Sequence, residues 1–314
     1  MAGRVGDAHS GPMRDWWQDL TDLVLPAECG GCGRPRAVLC AACRTALSGA
    51  APRRVRPAPE PAGLPPVHAA APYADAVRAA LLAHKERGAL ALTGPLGEAL
   101  AGSVRAGLRA TRTRRAGHDG GSGGGPVLLV PVPSARRATR ARGHDPALRL
   151  AYAAAGELRR TGVPVRVLAA LRQRRAVADQ SGLGARQRLA NLAGALTLAP
   201  GCGRLLRGGR VVLVDDLMTT GASLAEAARA VRAARTGPGG GSSISGPAFV
   251  YLGETWERRG EQRNGPDRQS AGPRFRRPSG TAVAGGAEGK IDGVCAAVVA
   301  ASPDAFQIHP ELTE

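Results

Sequence analysis

Residues 211–224 read Val-Val-Leu-Val-Asp-Asp-Leu-Met-Thr-Thr-Gly-Ala-Ser-Leu, and the fold class turns on them. Val211 to Val214 form an apolar run short enough for a buried parallel strand. Asp215 and Asp216 stand where that strand is expected to end. The polar turn Thr219-Thr220-Gly221-Ala222-Ser223 then opens an alanine-rich helix, expected to reach about Ala234. In open α/β sheets, ligands collect at the carboxyl ends of strands. A helix N-terminus there offers phosphate free N–H groups and the positive end of its dipole. The hydroxyls of Thr219, Thr220 and Ser223 can add hydrogen bonds, while Gly221 lets the backbone come close.

An acid pair beside a phosphate cradle suits a ligand with both a cis-diol and a phosphate, as phosphorylated ribose has. Two plainer readings compete. One is a buried strand followed by a capped helix. The other is a Walker B strand, which needs a Gly-Lys-Ser/Thr loop elsewhere. The only lysines are Lys85 and Lys290, neither in such a loop, so nucleotide hydrolysis is excluded.

Outward from this segment, strands and helices alternate. Strands are expected at Val67–Tyr73, Val127–Val132, Val165–Leu168, Ala195–Leu198 and Val294–Ala300. Helices are expected at Ala74–Arg87, about Gly97–Ala110, Pro146–Arg160 and Ala185–Leu192. Pro146 suits the first turn of its helix because its φ is already set. The pattern predicts a mostly parallel sheet covered by helices on both faces. Residues 111–125 are expected to be a flexible loop, and 171–183 a basic polar one. The Gly-rich run at 120–125 precedes a strand instead of following one, so it is no dinucleotide fingerprint.

The net charge is +18, almost all from arginine: the 43 basic residues include just two lysines. Coding bias explains Arg over Lys but not base over acid, so polyanions or phosphate-rich ligands are favoured partners. Nine aromatic residues leave little material for stacking single-stranded bases. There is no apolar run of about 18 residues that could cross a membrane, and no signal-peptide core. The expectation is a cytoplasmic protein without membrane insertion. Residues 1–14 read as a disordered leader, with Met13 a second candidate start.

Cys29-x2-Cys32 and Cys40-x2-Cys43 make two knuckles seven residues apart. Four thiolates so spaced can close a tetrahedron around Zn²⁺ with no open position, which makes the metal structural. Disulfides are disfavoured in a cytoplasmic chain, and a redox Cys-x-x-Cys normally comes singly. A preceding helix carries Trp17, Leu20 and Val24 at helical spacing and reads as a packing face. The organisation expected is therefore a helix and zinc module over 15–48, a Pro/Arg linker over 49–66 and an α/β domain over 67–235. A disordered insertion over 236–288 and a last strand with its tail over 289–314 complete it.

The 211–224 segment closely resembles the phosphoribosyl pyrophosphate (PRPP) motif of type I phosphoribosyltransferases. With the four cysteines ahead of it, the chain resembles the ComF family. Other segments carry the same resemblance. They are His84-Lys85-Glu86-Arg87-Gly88; Pro131-Val132-Pro133 with Arg136-Arg137; Arg142-Gly143-His144-Asp145; and Gln180-Ser181-Gly182-Leu183 with Arg186 and Asn191. His144-Asp145 departs from the usual Phe-Asn, and the insertion is not a family feature.

The resemblance implies a type I phosphoribosyltransferase-like fold that binds PRPP with Mg²⁺. Asp215 and Asp216 would contact the ribose hydroxyls, and Thr219, Thr220, Gly221, Ala222 and Ser223 would hold the 5-phosphate. It implies transfer of phosphoribosyl to an acceptor that no residue identifies. The alternative it implies is a regulatory PRPP-fold protein in natural competence, working with single-stranded DNA and a helicase. Ser134, Arg136 and Arg137 are the candidate pyrophosphate loop, against a solvated basic loop. Arg174 and Arg175 are the candidate lid. Lys85 either neutralises a phosphate or ends a helix, the second being the plainer reading.

Overall fold

The computed structural model describes residues 28–116, 125–175, 185–207, 209–236 and 293–307. The expected leader, the Trp16–Val24 helix, the Gln180–Leu183 segment and nearly all of the 236–288 insertion lie outside them.

The four-cysteine turns lead into α1 (Ala41–Ser48) and the strand β1 (Arg53–Val55). β2 (Val67–Pro72), α2 (Asp75–Glu86) and α3 (Thr93–Ala116) follow. After β3 (Val127–Pro131) come α4 (Arg136–Arg142), α5 (Pro146–Arg160) and β4 (Val165–Val167). β5 (Leu171–Gln173), α6 (Ala185–Leu192), β6 (Leu196–Leu198) and α7 (Cys202–Arg207) lead to β7 (Arg210–Met218). α8 (Ala222–Thr236) and β8 (Cys295–Ala301) complete the order.

Six strands form one sheet in the order β1-β2-β8-β7-β3-β4. Its pairings are parallel except at the edge, where β1 runs antiparallel to β2. The alternation of side chains sorts the core into two layers. Val127, Leu129, Val212, Val214, Cys295 and Ala297 join the layer built with α2, α3 and α5. Leu128, Val130, Val211, Leu213, Ala296 and Val298 join the one built with α7, α8, β5 and β6. Burial on both faces explains why these strands read as unbroken apolar runs rather than alternating ones. The α/β class with a mostly parallel sheet and helices on both faces is thus present.

α3 and α5 cross closely because Gly97 lies against Ala153. A Cβ on Gly97 would fall 2.4 Å from the alanine Cβ. Ser103 Oγ, buried on α3, donates to the Val298 carbonyl (2.9 Å) and ties that helix to a central strand. Asp145 starts α5 by accepting from the Leu148 N–H at 3.3 Å, with Pro146 in the first turn.

Several expectations are corrected. Residues 49–66 are not simply a spacer: β1 pairs with β2, Val55 is buried, and the following strap packs under α8. Proline-rich composition hides this because a single buried Val carries the strand. α3 continues to Ala116, through the first residues of the expected loop, since arginine and alanine are good helix formers. Residues 136–142 are helical where a turn was expected, closed by Gly143 at φ 75°. β7 runs four residues past Val214, so Asp215 and Asp216 lie inside the strand instead of beyond it. β8 pairs with it as far as Met218, which keeps the backbone extended. β6 does not join the main sheet; with β5 it forms a separate antiparallel pair.

Candidate ligand site and four-cysteine centre

β3 stops pairing with β7 at Pro131–Val214, and the Val132 N–H makes the last contact, donating to the Val214 carbonyl (2.9 Å). The next two residues are Asp215 and Asp216. The acid pair therefore occupies the point where β7 has lost one neighbour and kept the other.

Asp216 shares the strand face of Val212 and Val214, which looks toward α2. There the Lys85 ammonium lies 2.8 Å from its Oδ2. The Asp216 side chain is 6% exposed and that of Lys85 32%. Burial opposes the ammonium, but Asp216 and then Asp215 outweigh it and raise the Lys85 pKa. Asp215 Oδ1 accepts the Asp216 N–H at 2.9 Å. Burial, and then the neighbouring Asp216, hold the Asp215 carboxyl well above the usual range despite the opposing pull of Lys85.

Behind this pair, His84 is fully buried, with Nε2 hydrogen-bonded to Thr93 Oγ1 (3.2 Å) and its ring 6.0 Å from that of His144. Burial, and then His144, push its pKa down to about 4, so it is neutral near pH 7. Glu86 accepts from Arg142 (2.9 Å), which fastens the end of α2 to the end of α4.

The turn after β7 holds the residues expected of the phosphate cradle. Thr219 and Thr220 form a bend, Gly221 takes φ 74°, and α8 begins at Ala222. Gly221 is required twice: its φ suits glycine, and a Cβ would meet Leu64 at 3.1 Å and Pro57 at 3.3 Å. The first N–H groups of α8 have no intrahelical acceptor. Ser223 is half-buried there, and the exposed Thr219 accepts from Arg188 on α6 (3.3 Å).

The other candidate residues fall into two groups. Ser134 lies in the turn after β3, where its N–H and hydroxyl both donate to Asp145 (3.2 and 3.4 Å). That turn borders an open cleft of about 380 Å³ lined by Pro133, Ser134, Arg140, Asp145, Leu171 and Gln173, among others. Arg136 opens α4, and Arg137 is exposed on it. Arg174 and Arg175 instead belong to the β5–β6 unit. Arg174 N–H donates to the Ala195 carbonyl (2.9 Å), and Arg175 donates to the carbonyls of Asn191 and Ala193 (2.7 and 3.2 Å). Residues 176–184 lie outside the described ones. Glu226 and Arg229 of α8 clamp the same unit, bonding the Leu196 N–H and carbonyl at 3.0 Å each.

The sequence reading preferred Lys85 as a helix end, and the structure pairs it with Asp216. It quoted His84 and Arg142 without giving either a role of its own, and it did not name Arg188.

The four cysteine sulfurs gather within 4.8 Å of one another. The Cys29 N–H donates to the Arg34 carbonyl, that of Gly33 to the Cys29 carbonyl, and that of Cys40 to Cys29 Sγ (3.3 Å). Burial opposes ionisation of Cys29, but backbone N–H groups of Cys32, Cys40 and Gly31 outweigh it and bring its pKa down to about 6. Burial and then the other thiols push Cys43 up, and a coordinated cation would deprotonate it. The group could hold a metal such as zinc. Among the described residues, no other group of three or more His, Cys, Asp or Glu side chains is close enough to share a metal. No helix among the described residues is long and apolar enough to cross a membrane. The chain matches no protein-family model and no curated protein.

Proposed function

We propose that the protein binds PRPP with Mg²⁺ on a type I phosphoribosyltransferase-like scaffold and passes the phosphoribosyl group to an acceptor. The observation that carries this reading is the placement of the acid pair. Asp215 and Asp216 precede the Thr219–Ser223 turn and α8, at the point where β3 has stopped pairing. The spacing lets one ligand meet carboxylates through its diol and a helix N-terminus through its phosphate. Zn²⁺ at Cys29, Cys32, Cys40 and Cys43 has a structural part.

In this reading Asp215 and Asp216 accept hydrogen bonds from the ribose hydroxyls. Thr219, Thr220 and Ser223 donate hydroxyls to the 5-phosphate, joined by the N–H groups of Gly221 and Ala222. The turn at Ser134, fixed by Asp145, and the arginines of α4 border the pyrophosphate. With Mg²⁺ bound alongside PRPP, charge on the departing pyrophosphate would be neutralised. The protein's own contribution is orientation and a fixed field, which suits a reaction that needs little covalent help.

Calorimetric titration of wild-type protein with PRPP and Mg²⁺, beside Asp215→Ala/Asp216→Ala, tests the reading. Binding that needs Mg²⁺ and weakens at least about a hundredfold in the variant, some 3 kcal/mol, supports it. Equal affinity in both proteins refutes it. Binding without pyrophosphate release against any nucleobase, amine or alcohol acceptor would leave a PRPP-binding protein that does not transfer.

A further inference from the structure

Lys85 is the one described charged group in salt-bridge contact with the acid pair, and it comes from a helix more than a hundred residues away in the chain. Its ammonium lies 2.8 Å from Asp216 Oδ2, on a carboxylate with little other exposure to solvent. Asp215 Oδ1 is engaged by the Asp216 N–H. Two carboxylates alone make a poor cage for a divalent cation, and no third ligating side chain stands close enough to share a metal with them among the described residues. Mg²⁺ gives up its water reluctantly. It is ordinarily held by one or two carboxylates together with phosphate oxygens of a substrate.

We propose that Lys85 is the built-in counter-ion of the acid pair. Its ammonium fills the place a free divalent cation would take, so the site admits metal only as part of a metal-bound diphosphate. This rests on reading Asp215 and Asp216 as a ligand site, and it adds the order in which the components arrive.

The surroundings hold Lys85 to that task. Arg142 lies near enough for its charge to oppose the ammonium, though more weakly than the two carboxylates favour it. The Glu86–Arg142 pair fixes the end of α2, and the neutral His84 offers no competing charge. A metal-bound diphosphate differs from the bare ion in two ways. It brings most of the metal's oxygen ligands, and its phosphate offers the displaced ammonium a new anionic partner. Lysine suits this exchange better than arginine, because a point charge can turn from one anion to another without matching a planar fork.

The test uses the zinc-loaded, full-length protein and Mn²⁺ alone as the probe, followed at neutral pH by the loss of its free-ion EPR signal. Wild type and Lys85→Arg should leave Mn²⁺ free. Lys85→Gln, which keeps a donor for Asp216, should bind one Mn²⁺ per chain at least about tenfold more tightly than wild type. Lys85→Gln/Asp216→Asn should lose that gain. A gain that survives Asp216→Asn, or equal Mn²⁺ affinity in wild type and Lys85→Gln, overturns the proposal. Should Lys85→Gln fail to fold by circular dichroism, wild type against Asp216→Asn decides it. Mn²⁺ uptake by wild type that vanishes in Asp216→Asn overturns the proposal, and no uptake by either upholds it. Titrating wild type with PRPP and Mg²⁺ is the separate arm: no binding there defeats the ligand reading and leaves the Mn²⁺ result standing.

Discussion

Asp215 and Asp216 adjoin in sequence, yet replacing each by its amide should move stability in opposite directions. Asp216 is buried against an ammonium, so Asp216→Asn strands the Lys85 charge. Breaking a fully buried pair costs about 3–5 kcal/mol, and partial exposure of Lys85 lowers the expectation to about 2 kcal/mol. Asp215 is held above its ordinary pKa, so its ionised form is destabilised by folding. The sign follows from linkage: the folded state binds this proton more tightly, so stability falls as pH rises through the folded pKa. Asp215→Asn keeps an oxygen for the Asp216 N–H and removes the penalty. It should be indistinguishable from wild type near pH 4 and more stable at pH 7. Urea unfolding of both variants at the two pH values checks this. A destabilised Asp215→Asn at pH 7 would show that the carboxylate is a structural group, not one kept at a cost to stability for a ligand.

The turn joining β7 to α8 is where the strap over residues 57–64 meets the cradle. Gly221→Ala should cost about 1–2 kcal/mol for its left-handed φ, plus the displacement of Leu64 and Pro57. Gly88→Ala supplies the comparison, because Gly88 has φ 69° with open space around it. Any excess of the first over the second in chemical denaturation measures the packing of the strap; equal losses would mean the strap gives way freely. The strap also shows which elements the sequence made legible. β3, β7, β8, α2 and α5 were readable because each buries a periodic or continuous apolar set and has clear punctuation, such as Pro146 or Gly221. The acid pair and its turn were readable because one contiguous segment holds them. β1 and β5 were not, since three-residue strands made largely of arginine and polar residues, each with one buried apolar side chain, take their structure from a partner strand. Lys85 was not, since its role exists only once α2 is laid beside β7. Arg188 meets Thr219 for a similar reason, through the placing of α6.

At the scale of the whole molecule, the four-cysteine centre and the sheet share one core. Cys29, Cys40 and Cys43 belong to the same buried cluster as Leu92, Leu96 and Leu100 of the α2–α3 layer. Gly30 lies so close to Leu92 that a Cβ there would fall 2.6 Å from its Cδ1. Since α3 also holds Val298 through Ser103, the centre is linked through packed side chains to the middle of the sheet. A zinc module that merely hung on a linker would melt by itself and leave the α/β domain untouched. Here metal binding should act as folding free energy for the sheet as well, because a ligand held only by the native state stabilises everything that unfolds with it. Chelation, or Cys29→Ser, should therefore lower the midpoint of the main cooperative transition in scanning calorimetry. Stoichiometric zinc in the purified protein is the accompanying expectation. A separate early transition that appears on chelation, with the main one unmoved, would show that the centre folds as its own unit and that its contact with Leu92 carries little energy.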